Sequence, residues 1–383
     1  TKLLNNFSYT YKLYTIAPPS SLAKANTSFS LALLRKLSED NKTANIFFSP
    51  FSISSALAMV MLGARGNTAT QISECSKIQD CQDDVHSLFA KLLRDLNQPG
   101  GPFALSVANR LYGEQTYSFL QVRKSKHHEL HLVEKCVIVM LLRDDAVDNM
   151  TRMVLVNAIY FKGTWDQPFP KVCTFKGKFR LNKKETKPVA MMQHISVFPN
   201  TSIPEVNCQI LEMPYKGKEL SMLIILPENI EDDTTGLEKL EKHLTYENFM
   251  EWTHPDKMKI SGLEVMLPRF KLEEAYDLKE VLSSMGMKDA FDETKCDFFG
   301  MSGCKELFLS KVSHKAFVEV NEEGTEAAAT TWFGENLCGR PMFLASNPFL
   351  FFIRHNPTMS VLFAGRFCYP VEDLSPSEEL FEW

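Results

Sequence analysis

Residues 310–348 constrain the fold of this chain more than any other stretch. They open on alternating apolar and polar residues, which predict a β-strand that runs to Val320. The apolar run 349–353 follows Pro348 and predicts a second, buried strand. A tract of small residues and then a mixed segment separate the two. The fold must therefore connect two strands of its core by a long segment whose first residues are small.

The small-residue tract could itself become a strand. Alternate side chains of a strand face opposite sides, so residues 324–333 would present two different faces. One face carries the small side chains Thr325, Ala327, Ala329 and Thr331, and the other carries Glu326, Ala328 and Thr330. A small-residue face fits between the strands of a crowded sheet, and Glu326 would set the register because it needs solvent. Since alanine runs are poor β-formers, the tract is compatible with a loop, including a plain flexible linker, or with a strand.

Three motifs surround this connection: Glu-Glu-Gly-Thr-Glu-Ala-Ala-Ala-Thr at 322–330, Pro-Phe-Leu-Phe-Phe-Ile-Arg at 348–354 and Phe-Ala-Gly-Arg-Phe at 363–367. Together they resemble the hinge and the C-terminal strands of the serpin family, and most of all its ovalbumin-like (clade B) group. The resemblance covers residues 22–370 as a single domain. It implies an α+β fold in which three β-sheets are surrounded by about eight or nine helices and carry an exposed reactive-centre loop.

The resemblance implies a protease inhibitor that acts as a suicide substrate. A serine protease would cleave the exposed loop and form an acyl-enzyme, after which the freed tract would insert into the main sheet as a new central strand. The hinge that it assigns comprises Glu322, Glu323, Gly324, Thr325, Glu326, Ala327, Ala328, Ala329 and Thr330.

The bond that the protease would cut follows from the usual hinge length of the family. Counting from Glu322 places it between Cys338 and Gly339, and one missing residue would move it to Leu337. Either residue suits an elastase- or chymotrypsin-like pocket, and a cysteine protease is a further possible target. Arg340 would suit a trypsin-like enzyme, but the proline that follows it disfavours cleavage there.

A non-inhibitory serpin, acting in storage, as a carrier or like a chaperone, is the alternative function. Phe333 favours it, because this large side chain shares the small-residue face and would hinder late insertion. Segment 121–146 is also shorter than its family counterpart and leaves no room for the helix that crosses the front of the main sheet. This shortening bears on inhibition more than on the fold.

The family resemblance also assigns a polar cluster, the shutter, beneath the place where the main sheet opens: Ser49, Ser52, Asn157 and His314. It places Trp165 at the breach, the end of the sheet where the loop enters. The ordinary interpretation is a set of hydrogen-bonded core residues. The functional one keeps these bonds and adds that such a cluster can form new bonds after the strands part.

Composition argues against other classes of function. The net charge of −5 disfavours nucleic-acid binding, and no apolar run is long enough to span a membrane. The chain has no Gly-x-Ser-x-Gly elbow and no phosphate-cradling glycine loop. The histidines at 127, 128 and 131 with Glu129 lack the His-Glu-x-x-His order of a metal site. We therefore expect no catalytic residues, no metal and no cofactor.

The cysteines indicate the compartment. Nine cysteines without regular spacing predict free thiols in a reducing compartment, with a Cys75–Cys81 bridge as the alternative. Residues 1–7 do not resemble a signal peptide. We expect a cytoplasmic monomer that could also be released from cells. Residues 1–21 match nothing in the family, and 371–383 form an extension that we expect to be disordered.

Periodicity gives the elements that surround these motifs. It predicts helices at 22–37, 51–64, 83–96 and 277–285. It predicts strands at 45–50, 104–112, 154–163, 219–227 and 259–271.

Overall fold

The apolar runs of the sequence form β-strands in the computed structural model, which describes residues 18–81, 84–96, 103–113, 151–302, 307–323 and 341–371. The strands of this part are β1 (Ile46–Phe48), β2 (Phe103–Gly113), β3 (Met153–Gly163), β4 (Phe175–Arg180), β5 (Thr186–Ile203), β6 (Cys208–Pro214), β7 (Leu220–Pro227), β8 (Lys259–Pro268), β9 (Phe270–Asp277), β10 (Leu309–Val320), β11 (Met342–Leu344), β12 (Phe349–His355) and β13 (Ser360–Phe367).

The described residues also form seven α-helices. They are α1 (Ser21–Asp40), α2 (Pro50–Met61), α3 (Gly66–Cys75), α4 (Val85–Leu96), α5 (Glu238–His243), α6 (Tyr246–Trp252) and α7 (Lys279–Ser284). Ser20 caps α1 by accepting the Ala23 N–H at 3.2 Å. Helix α2 is buried except for its last residue, as its apolar sequence predicts.

A four-stranded sheet contains the strand that precedes the hinge. Its strand order is β2-β3-β10-β9. The outer pairs, β2 with β3 and β10 with β9, are antiparallel, whereas the central pair β3 and β10 is parallel. We call this central pair the seam. Among the described strands of this sheet, it is the one junction in which both strands run in the same direction.

A second sheet has nine strands, in the order β1-β13-β12-β7-β6-β5-β8-β11, with β4 paired to β5. Strand β5 is continuous over eighteen residues. Its first part pairs with β4, its middle with β8, and its last four residues with β6. Strand β5 therefore joins β4, β8 and β6 in one sheet. The described residues form two sheets, so the prediction of three sheets is wrong in number within them.

Other differences from the sequence predictions have physical reasons. The strand-pair element predicted at 259–271 is two strands, β8 and β9, but they separate at Arg269 and enter different sheets. Helix α3 was not predicted, because only Thr68, Ile72 and Cys75 of its ten residues are buried and its apolar period is weak. Seven α-helices, rather than eight or nine, lie in the described part.

The helices cover one face of the nine-stranded sheet. Helices α1 and α2 both pack against β13. Helix α2 also contacts β2 and β3, so that it lies between the two sheets. Its N-terminus therefore lies next to the seam. No helix of the described part combines the length and the apolar character that crossing a membrane requires.

Candidate functional site

A row of polar side chains crosses the middle of the four-stranded sheet. Asn109 of β2 lies opposite Asn157 of β3, which lies opposite His314 of β10, which in turn lies opposite Tyr276 of β9. Residues directly opposite one another in neighbouring strands project to the same face. The row therefore runs across all four strands and spans the seam at Asn157 and His314.

His314 joins the two strands of the seam. Its Nε2 accepts the backbone N–H of Ser49 at 3.2 Å, so its Nδ1 carries the proton and donates to Oδ1 of Asn157. The side chain is completely buried. Burial lowers the pKa of His314 to about 3, because a charged imidazolium would lose its hydration. The ring is therefore neutral at pH 7 and acts as one donor and one acceptor.

Asn157 is bonded on both sides. Its Oδ1 accepts from His314, and its amide Nδ2 donates to Oγ of Ser52 and to Oδ1 of Asn109. The amide of Asn109 donates onward to Oγ of Ser55 at 2.9 Å, and Ser55 Oγ donates to the Ser52 carbonyl at 2.8 Å. Each of these side chains is buried. The cluster is a connected network in which the loss of one member leaves others without a partner.

Ser49 ties the network to the nine-stranded sheet. Its hydroxyl donates to the Leu362 carbonyl of β13 at 2.7 Å. The same oxygen accepts the Ser52 N–H at 3.1 Å and so caps α2. The start of α2 is thereby fixed between β13 and the seam. The structure brings together all four residues that the resemblance assigns to the shutter.

Trp165 holds the chain just before the hinge. Its indole Nε1–H donates to the carbonyl of Asn321 at 3.0 Å. Its ring stacks on Tyr215 with the centroids 4.4 Å apart. Gly163 permits this packing, since a Cβ there would lie 2.6 Å from Tyr215 Cδ1. The Trp165 side chain thus fixes the position of Asn321, where the chain leaves the sheet after β10.

The two acidic residues that begin the hinge assigned by the resemblance have different environments. Glu322 is buried, accepts a hydrogen bond from the Thr174 hydroxyl at 2.6 Å and lies 3.9 Å from Arg269. Glu323 is exposed and forms an ion pair with Lys171 at 3.0 Å. Both contacts reach the segment just before β4. The chain that leads into the hinge is therefore attached to the edge of the nine-stranded sheet.

The chain that follows segment 324–340 is attached to the same sheet. Strand β11, just after residue 340, pairs in parallel with β8. Beyond it, the Ser346 carbonyl accepts the backbone N–H of Arg180 at 2.7 Å. Thr174 lies just before β4 and Arg180 is its last residue, so β4 links the two ends of segment 324–340.

Several assigned residues lie outside the described part of the chain. They are Gly324, Thr325, Glu326, Ala327, Ala328, Ala329, Thr330, Leu337, Cys338 and Gly339, together with segment 121–146 and its histidines. Within the residues that are described, no three His, Cys, Asp or Glu side chains form a group that could hold a metal ion.

Sequence reasoning missed four members of the site. Asn109 and Ser55 extend the network, Tyr276 ends the polar row, and Thr174 bonds the buried hinge glutamate. A polar residue in an otherwise apolar strand was a usable signal for Asn109. The contacts of Ser55, Tyr276 and Thr174 join distant parts of the chain, and no local pattern indicates them.

Comparison with known proteins gives consistent results. A family model described as "Serpin (serine protease inhibitor)" matches residues 24–132 and 133–370. The chain is similar to leukocyte elastase inhibitor of Equus caballus, with 49% identity over 91% of this chain and 99% of that protein. It is 48% identical to Serpin B6 of Macaca fascicularis over 91% of this chain and 99% of that protein.

Solved structures agree with the sequence relatives. Uncleaved ovalbumin superposes with a TM-score of 0.84 at 34% identity, over 92% of this chain and 100% of that one. The family match covers nearly all described elements, including the seam, the polar network around Asn157 and His314, and the contacts on either side of segment 324–340. The chain therefore belongs to the serpin family of serine protease inhibitors, and its function is inhibition rather than catalysis.

Proposed function

We propose that this chain inhibits an elastase- or chymotrypsin-like serine protease by offering residues 324–340 as a substrate. Cleavage follows Cys338, or Leu337 if the hinge is one residue short. Residues 324–333 then insert between β3 and β10 and carry the acylated protease with them. The similar horse protein is named as an elastase inhibitor, and both candidate residues fit a medium-sized apolar pocket.

The direction of the strands in the seam is the single observation that carries this proposal. Strands β3 and β10 are parallel neighbours in a sheet whose other pairs are antiparallel. A tract that turns back after β10 runs antiparallel to β10, and therefore to β3 as well. Its insertion would replace one parallel ladder by two antiparallel ladders, which are slightly more stable per residue. The sheet gains a strand and loses its one parallel junction.

The size of the gain is sufficient for the task. About ten inserted residues, each contributing ~1 kcal/mol net in new backbone hydrogen bonds, give on the order of 10 kcal/mol. A typical folded protein is stable by about 5–15 kcal/mol. Insertion can therefore supply enough free energy to distort the active site of a captured protease.

The polar network gives the seam a way to open. The bond between Asn157 and His314 is a buried side-chain hydrogen bond across the seam. Each of these two side chains keeps its other partners when the strands part, because Ser49, which caps α2, and Ser52, within α2, do not lie on the opposite strand. We assign the shutter role to these four residues on that basis, and the breach role to Trp165.

Trapping of a protease on a denaturing gel tests the proposal. The chain is incubated with chymotrypsin and, separately, with pancreatic elastase. We expect a complex that survives boiling in detergent, and mass spectrometry of the released C-terminal peptide locates the cleaved bond. A chain that is cut while the protease stays active would contradict the proposal and support the non-inhibitory alternative, which Phe333 favours.

A pair of variants separates insertion from cleavage. Thr325→Arg places a large charge on the face that would enter the sheet, whereas Glu326→Arg places the same side chain on the outward face. We expect Thr325→Arg to be cleaved without trapping and Glu326→Arg to keep trapping. Equal behaviour of the two variants would contradict the inserted register.

The compartment and the wider target range belong to the same proposal. We propose a monomer that works in the cytoplasm, with release from cells as a second setting, and the thiols support a reducing environment. Cys75, Cys173, Cys208 and Cys368 are free in the structure. A cysteine protease of similar pocket preference would give the same gel shift. Size-exclusion chromatography and a parallel trap with papain test these two points.

A further inference from the structure

One hairpin differs in charge from the rest of the molecule. Residues 171–190, which we call the cationic hairpin, contain seven lysines and arginines and one acidic residue, Glu185. The whole chain has a net charge of −5. Strand β4, the turn after it and the start of β5 thus concentrate positive charge in a chain that is otherwise acidic. Such a concentration creates a local potential that the net charge conceals.

The charges on β4 share one face. Lys176, Lys178 and Arg180 alternate along the strand and are exposed, whereas Phe179 between them is completely buried. The residues of β5 directly opposite the three are Ala190, Pro188 and Thr186, none of which is acidic.

The ion pairs of the hairpin lie elsewhere. In the part of the chain that the structure describes, they are formed by Lys171 with Glu323 and by Lys183 with Asp233. The three cations of the β4 face have no acidic partner there. An ordinary solvated surface usually mixes both signs of charge, so this face is unusual in carrying only one.

Apolar side chains accompany the charges. Val172 is 94% exposed and Phe175 is 44% exposed, and both precede Lys176 in the chain by no more than four residues, although Phe175 projects to the other face of β4. A sulfated polysaccharide offers little apolar surface for such residues to cover. A protein surface does, since aromatic and arginine side chains are typical of protein–protein interfaces. The chemistry therefore favours a protein partner over a polysaccharide.

The position of β4 indicates which partner protein would contact its charged face. Its start is linked to the hinge through Thr174 and Glu322, and its end is linked to the chain after the loop through Arg180 and Ser346. A protease that binds residues 324–340 is held between these two attachments. It must therefore approach the surface that β4 forms.

We propose that the β4 face of Lys176, Lys178 and Arg180, together with the exposed start of the hairpin at Val172 and Phe175, is a second docking surface for the target protease. It selects a protease whose surface next to its active-site cleft is acidic. This inference rests on the proposed inhibitory function and adds the charge of the target to it. Cleavage-site preference and surface charge thus contribute separately to the choice of protease.

The three cations of the β4 face are expected to act mainly on the rate at which the chain associates with the protease. Complementary charge raises association rates by about tenfold to a thousandfold, and the gain falls with ionic strength. Exposed charges are screened over about 8 Å at physiological salt. For three charges at the edge of the contact we expect an effect near the lower end of this range.

A protease of altered surface charge tests the docking surface with one active site. Chymotrypsin and lysine-succinylated chymotrypsin, in which cations are converted to carboxylates, are first compared by active-site titration with a small peptide substrate. At about 0.05 M salt we expect the chain to trap the succinylated form about ten times faster. At about 1 M salt the two rates should converge, because the screening length shrinks to about 3 Å.

The triple variant K176S/K178S/R180S tests which residues are responsible. We expect it to lose the preference for the succinylated enzyme while it traps unmodified chymotrypsin with unchanged stoichiometry. The matched control R35S/K91S/K288S removes the same charge from exposed positions outside the cationic hairpin and should keep the preference. A triple variant that retains the preference would overturn the inference.

Three further outcomes are separable. If covalent complexes form but the wild-type rates do not depend on protease charge, the docking surface is wrong and the inhibitory function stands. If no covalent complex forms with either enzyme, the inhibitory function fails and the docking surface fails with it. A heparin-induced rate gain that the triple variant loses, with no effect of succinylation, would instead assign the β4 face to polysaccharides and overturn the inference.

Discussion

The seam and the centre of the nine-stranded sheet hold their strands together by different means. Strands β12 and β13 are antiparallel neighbours in which every residue is buried. The ring of Phe47 stacks on Phe351 and Phe363, with centroids 5.8 and 5.4 Å away. The seam is parallel, and its buried side-chain link is the polar pair Asn157 and His314. The half-buried rings of Tyr160 and Phe317 also stack across it, with centroids 5.4 Å apart.

The difference shows which junction is able to open. Separation of β12 from β13 would expose apolar surface at about 25 cal/mol per Å², and nothing could replace the lost contacts. Separation of the seam breaks hydrogen bonds that an incoming strand can form again, and the one ring pair that it also separates, Tyr160 with Phe317, is only half-buried. One junction is permanent and the other is replaceable, and the following variants test that contrast.

The largest effect is expected in the permanent junction. A Cβ at Gly365 would lie 2.3 Å from Phe351 Cζ, inside the buried sheet. We expect Gly365→Ala to lower the free energy of unfolding by about 3 kcal/mol or more, because a close-packed core resists added volume. Urea unfolding measures this loss. Gly262→Ala in β8, where a Cβ meets nothing within 4 Å, is the control and should change stability by less than about 0.5 kcal/mol.

The second effect is expected at the seam. Asn157→Ala leaves His314 Nδ1, Ser52 Oγ and Asn109 Oδ1 without a partner, which should cost about 3 kcal/mol. Because the loss falls on the junction that opens, native gels should also show polymers on mild heating. Asn200→Ala, which removes the hydrogen bonds of a half-buried amide in β5, should form none. Polymers in both variants would contradict the special role of the seam.

The third effect is a pH dependence. Native His314 stays neutral at pH 5 because burial lowers its pKa to about 3, whereas an unfolded histidine has a pKa near 6.5 and binds a proton. Unfolding therefore takes up a proton, and stability falls as the pH drops below about 6.5, by ~2 kcal/mol at pH 5. Thermal melts at pH 7.5 and pH 5 measure this fall, and His314→Gln should reduce it.

A histidine of the other sheet provides the comparison. Burial also lowers the pKa of His355, in β12, to about 4. Its contribution to the melts has the same sign, so His355→Gln should reduce the fall by a similar amount. Only His314→Gln should alter polymer formation at pH 5. If both substitutions alter it equally, the two junctions do not differ in the way that we infer.

The smallest effects are expected at the hinge attachment. Thr174→Val removes the 2.6 Å hydrogen bond to the buried carboxylate of Glu322 and should lower stability by about 2 kcal/mol. Lys171→Ala removes an exposed ion pair with Glu323 and should change it by less than about 0.5 kcal/mol. Urea unfolding of the two variants under the same buffer gives both values. A larger effect of Lys171→Ala would show that exposed charge, rather than the buried bond, fixes the hinge.

Local pattern was sufficient for much of the fold. The apolar runs gave β3, β7, β10 and β12, and helical spacing gave α1, α2, α4 and α7. Pattern failed where burial is partial or where pairing is not local. Helix α3 buries too few residues for a clear period. The joining of two sheets through β5 depends on its changing partners along one strand, which the sequence of β5 does not encode.

The candidate site was partly accessible from sequence. Ser49, Ser52, Asn157 and His314 were assigned by family resemblance, and they do form one network. Their roles in loop insertion remain predictions. The partner of Glu322 was not accessible, because Thr174 is far from it in sequence. The hinge tract and the cleaved bond remain predictions as well, since residues 324–340 lie outside the described part.

The continuity of β5 has a mechanical consequence. A captured protease would pull on the edge of the sheet where β4 is attached, and β4 is hydrogen-bonded along the first third of β5. The same uninterrupted backbone reaches β6 at its far end. A force applied to β4 is therefore transmitted through β5 to β6. We expect the inhibitor to withstand the pull of a captured protease without unfolding at β4.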